Sequence, residues 1–163
     1  MKRQSKTTRR HPSGSAIAEF GPALGILLIC FFFPLVDMLA LGVSYGLCLV
    51  LNSNQVHEAS LLPKSDATNA GGVVMKGIVD QWLSGMGHFV NIVTPPQTTV
   101  TYRTGEMGGD GVQDQIVMVE TKVVCGPFLP IPLPVIHVPG LNGDMPFVLR
   151  SERQMEDPDN TQR

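Results

Sequence analysis

"EFGPALGILLICFFFPLVDMLALGVSYGLCLVL", residues 19–51, decides how this chain folds. After Glu19, the 32 residues Phe20–Leu51 contain no ionisable side chain other than Asp37, Tyr45, Cys30 and Cys48. A helix of that length rises about 1.5 Å per residue and spans roughly 48 Å, whereas the hydrocarbon core of a bilayer is about 30 Å thick. Residues 15–60 are therefore expected to form one helix that crosses a membrane and continues beyond it.

The two acids in this helix are 18 residues apart. That is five turns of 3.6 residues, so on a straight helix they share a face about 27 Å apart. One acid then stands at each membrane boundary, bracketing Phe20–Val36. On the same wheel Gly21, Gly25, Gly42 and Gly46 fall within an arc of about 100°, nearly opposite the acids. Their pairs, "GPALG" and "GVSYG", have the small-xxx-small spacing that lets helix backbones approach closely in lipid. Glycine is also common in transmembrane helices generally, so the pairs fit an unspecialised span equally well. Pro22 and Pro34 each remove a backbone hydrogen bond and should kink the helix, rotating its second half relative to its first.

Charge is unevenly spread. Residues 1–14 carry Lys2, Arg3, Lys6, Arg9 and Arg10 with no acid, which leaves seven basic against fourteen acidic side chains in residues 15–163. Basic flanks stay on the cytoplasmic side, so the N-terminus is read as inside and the remainder as exported. An ordinary secretory signal has a short apolar core followed by a small-residue cleavage site. Here the apolar run is about twice that length, and the small residues "SGSA" precede it.

The order of these features is distinctive: a short basic segment ending in Gly14, then the small residue Ser15, then a glutamate five places after the glycine, then the apolar helix. This resembles a type IV prepilin leader, and "GSAIAEF" is similar to the TadE-like branch, the minor pseudopilins of tight-adherence (Flp) pili. The segments "VVCGPFLPIPLP" and "PFVLRSERQMEDP" look like that family's last strands, so the likeness extends over nearly the whole chain. Pro22 comes earlier than the family leads one to expect, and TadE-, TadF- and TadG-like relatives are not separated.

The resemblance implies an α+β fold with a long N-terminal transmembrane helix, a second amphipathic helix, and a small antiparallel sheet with a proline-rich loop. It also implies a leader at 1–14, the helix at 15–60, an exported domain at 61–155 and a polar tail at 156–163. It further implies cleavage between Gly14 and Ser15 by a prepilin peptidase in the bacterial inner membrane. Subunit contacts would then run through Glu19, Phe20 and Asp37, toward other pilins and the assembly platform. In pilins the equivalent of Glu19 meets the new N-terminal amine of a neighbour; a carboxylate facing an ammonium avoids much of the cost of burying either alone. The alternative keeps Glu19 at the cytoplasmic interface with its head in water, in an uncleaved signal-anchored protein with an exported binding or regulatory domain.

Beyond the membrane, Pro63 and "KSDATN" mark a break, and a second helix is expected from Asp66 as N-cap. In it Val74, Met75, Ile78, Val79, Trp82, Leu83 and Met86 recur at spacings of three and four, with Lys76, Asp80 and Ser84 opposite. It should pack its apolar face on a sheet. "TTVTYRT", "QIVMVETKVVC" and "MPFVLRSERQ" alternate as strands, the second placing Val117, Val119, Val123 and Cys125 on one side and Glu120 and Lys122 on the other. "GEMGGDGVQD" between the first two is a hairpin loop; its Asp110 and Asp114 lack the remaining ligands of a calcium loop. "GPFLPIPLPVIHVPG", residues 126–140, holds five prolines and cannot be a central strand. It is expected as an apolar loop that faces the membrane, a neighbouring subunit or the chain's own core.

Cys30 and Cys48 lie about 27 Å apart along the helix, beyond disulfide reach, and Cys125 stands alone in the exported part. All three are expected to pack as small apolar residues. The histidines at 11, 57, 88 and 137 are scattered, with no HExxH, CxxC, phosphate loop or GxSxG. No enzyme, cofactor or metal site is expected, and the short basic cluster does not suggest nucleic-acid binding.

Overall fold

The computed structural model describes residues 15–107, 113–130 and 137–156. The apolar run is helical throughout: Ser15–Leu27 (α1), a π turn at Leu28–Phe32, and Phe33–Leu61 (α2) follow one another directly. Pro22 is held inside α1. At Pro34 the effect is larger. Its missing N–H and its ring both disturb the carbonyl four residues back, and the preceding turn widens so that the Phe33 N–H bonds to the Leu28 carbonyl. A π turn acts as one inserted residue, which offsets the two halves by about 100°. Glu19 and Asp37 therefore do not stack on one face as they would on a straight helix. The helix ends at Leu61, where Leu62 turns extended ahead of Pro63.

The second helix departs from expectation. Asp66 does not cap it; that residue lies inside a single helical turn, Lys64–Ala67 (α3). The chain then bends through "NAGG", residues 69–72, and helix resumes as a π turn at Val73–Gly77 followed by Ile78–Ser84 (α4). Gly72 permits this tight bend: a Cβ there would stand 2.8 Å from the Asp66 carbonyl oxygen and 3.0 Å from that of Asn69. As the periodicity predicts, Val74, Val79 and Trp82 are buried while Lys76, Asp80 and Ser84 are exposed.

Three strands form one antiparallel sheet in the order β1 (Ile92–Met107), β2 (Gln113–Cys125), β3 (Met145–Gln154). β1 starts six residues before "TTVTYRT" and includes Pro95 and Pro96, with irregular pairing between Thr94 and Gln97. An edge strand tolerates such prolines. Val117, Val119, Val123 and Cys125 are all buried on one face, as alternation requires. The hairpin tip at 108–112, with Asp110, and the proline-rich residues 131–136 lie outside the described residues.

Helix α2 lies across β2 and β3 and forms the spine of the globular part. Two apolar clusters line this interface. One gathers Cys48, Leu51, Val79, Trp82, Val123, Cys125, Phe147 and Leu149; the other gathers Val56, Ala59, Ala67, Val74, Val117, Val119 and Met155. Helix α4 flanks α2, tied by the Trp82 Nε1–H donating to the Leu47 carbonyl at 3.1 Å. It was expected to pack on the sheet.

Between the clusters runs a buried polar ladder. Asn52 Nδ2 donates to Thr121 Oγ1 at 3.0 Å and to the Val119 carbonyl at 3.1 Å. Thr121 Oγ1 donates to Gln55 Oε1 at 2.7 Å. Gln55 Nε2 donates to the Val74 carbonyl at 2.9 Å and to Thr98 Oγ1 at 2.8 Å. Such a ladder fits only one helix register, because a slip by one residue strands these groups without partners.

Candidate functional site

The long helix divides into two environments. From Glu19 to Val36 no side chain is buried, and Phe20, Ile26, Phe31 and Leu35 are each 64–72% exposed. From Asp37 onward one face is taken up by the domain while Met38, Leu39 and Val43 on the other stay exposed. The bare part is a rod of 18 residues, about 27 Å long, close to the thickness of a bilayer core. The helix over Glu19–Leu61 is long and apolar enough to cross a membrane, consistent with a single-pass membrane protein.

Gly14 and the basic leader at 1–14 lie outside the described residues, and Ser15 is the first residue of α1. Glu19 is exposed one place before the exposed Phe20. At Gly21, Gly25, Gly42 and Gly46 an added Cβ would meet nothing within 4 Å, so all four small faces open outward.

Asp37 has a different fate from the one expected of it as a subunit contact. It is fully buried, its Oδ1 accepting the Leu129 N–H at 2.8 Å, so its own fold encloses it and leaves no side-chain surface for a neighbour. Oδ2 has no partner among the described residues. Two loops meet here: the Gly126 N–H donates to the Asn91 carbonyl at 2.8 Å, and Asn91 Nδ2 donates to the Pro127 carbonyl at 2.8 Å.

Cys125 is not isolated. It lies in the same cluster as Cys48, and interaction with that thiol lowers the Cys125 pKa from the usual thiol value against the opposing effect of burial. Reading along the chain could not pair a mid-helix cysteine with one at a strand end 77 residues later.

Of the histidines, His57 Nδ1 lies 2.7 Å from Arg153, which also pairs with Glu156. Among the described residues no three His, Cys, Asp or Glu side chains gather as metal ligands. The outer sheet face carries ion pairs, Arg103 with Glu152 and Glu120 with both Lys122 and Arg150. Hydrogen bonds from Lys122 and Arg150 hold the Glu120 carboxyl below its ordinary range. The chain matches no protein-family model, and searches of curated proteins and of solved structures return no significant similarity.

Proposed function

We propose that this chain is a structural or assembly subunit of a pilus-like filament, a minor pseudopilin of the TadE-like kind. In this reading it is held in the bacterial inner membrane by the rod Glu19–Val36, with the N-terminus cytoplasmic and the sheet domain outside. A prepilin peptidase removes residues 1–14, and the new amine at Ser15 meets Glu19 of another copy. The mature chain packs against other pilins through the rod, with Phe20 and the glycine faces as contacts. The observation that supports this most is the division of one helix into a bare apolar rod and a domain spine, with the glycines on the rod and spine facing outward. Cleavage at the Gly14–Ser15 bond would leave the rod as the extreme N-terminus, free to insert among like rods.

Mass spectrometry of the chain from cells with and without the peptidase tests this. The mature product should begin at Ser15 only when the peptidase is present, and Gly14→Phe should abolish it. A chain that keeps its first fourteen residues in both strains would instead be a signal-anchored protein with an outward domain.

A further inference from the structure

We propose that Phe89, Phe128 and Leu129 form a second membrane contact, dipping into the headgroup boundary of the same phospholipid bilayer that the rod Glu19–Val36 crosses. The proposal rests on the reading of the rod Glu19–Val36 as a membrane span, and its location follows from hydrogen bonds. The Leu129 amide sits on the Asp37 carboxylate, at the level where the bare rod ends. Phe89 and Phe128 line one small cleft with Ala40, Leu41 and Ser44, within about two helical turns, or roughly 10 Å, of Asp37.

The two loops are bound to each other through Asn91, so their tips form one surface. Phe89 is 78% exposed, Phe128 64% and Leu129 36%, with Val93, against Gly126, also exposed. A soluble domain seldom leaves aromatic rings so bare at adjacent loop tips. Residues 85–93 and 126–130 contain no Lys, Arg, Asp or Glu, and His88 is their only ionisable group. Entry into lipid would therefore strip water from no fixed charge. A bilayer core of about 30 Å set around Phe20–Val36 places its outer boundary near Asp37. Amphipathic anchors embed about 5–10 Å into that boundary, a depth these tips can reach without unfolding.

Site-directed spin labelling of the full chain in phosphatidylcholine vesicles tests the proposal. Native Cys30, exposed on the rod, carries the reference label, since Cys48 and Cys125 are buried. In a Cys30→Ser background, Phe89→Cys and Phe128→Cys carry the test labels, and Thr104→Cys at the opposite end of β1 carries the aqueous control. Labels at 89 and 128 should collide with oxygen more, and with a water-soluble nickel chelate severalfold less, than the label at 104. A Cys30 label in lipid with 89 and 128 as open to nickel as 104 would overturn the proposal alone. Labels at 89 and 128 immobilised and shielded from both reagents would overturn it in favour of a second protein chain. A Cys30 label in water would remove the membrane span, and this contact with it.

Discussion

Asp37 is a carboxylate within an apolar helix that the fold has turned inward to hold a loop by a single backbone amide. Replacing it with alanine removes the acceptor and should destabilise the domain by on the order of 1 kcal/mol. The clearer signal is local: the Leu129 amide should exchange faster in Asp37→Ala and regain protection in Asp37→Asn, which keeps an acceptor oxygen. Equal protection in all three proteins would mean that the loop is held by other contacts. Position along the chain revealed that Asp37 was unusual. It could not reveal whether the carboxylate faced a neighbour or its own fold, because the π turn before Pro34 alters the helix phase on which that inference depended.

At the scale of elements, α2 is locked to the sheet by the Asn52–Thr121–Gln55 ladder between two apolar clusters. Thr121→Val fills the same space but leaves Gln55 Oε1 without its donor and removes one of the acceptors of Asn52 Nδ2, which should cost about 1–3 kcal/mol. The denaturation midpoint of the detergent-solubilised chain measures it. Adding Asn52→Leu should cost less than the sum of the separate changes, since the two groups share one network. On the outer face, Glu120 sits opposite Arg150 in register and two places before Lys122. Because its folded carboxyl is lowered, this group's contribution to stability is complete above the ordinary carboxylate range and fades as pH falls through the lowered value. An NMR titration should show the Glu120 midpoint rising in Lys122→Gln and in Arg150→Gln, since each removes a hydrogen bond to the carboxylate.

For the whole molecule, rod and domain should behave independently. Ile26 and Ile29 are exposed on the rod and belong to neither core cluster. Changing both to aspartate costs about 2.5–3.5 kcal/mol each at mid-membrane. The chain should then wash off membranes in alkaline carbonate while the Val119 and Val123 amides stay protected. If sheet protection disappears as well, the rod is needed for the domain to fold. The strands, the buried valines and the apolar face of α4 were all legible in sequence, since period-2 and period-3.6 patterns record which face meets the core. The interrupted start of α4 was less so, because a crowded glycine such as Gly72 is recognised only by what surrounds it.

The sequence by itself determined that one long apolar helix leads an α+β chain, because length and hydropathy depend on neighbours along the chain alone. Only the tertiary structure decided that half of this helix is a domain spine, that Asp37 looks inward, and that Cys48 meets Cys125. Those facts depend on side chains brought together from distant positions, a juxtaposition that linear pattern does not encode.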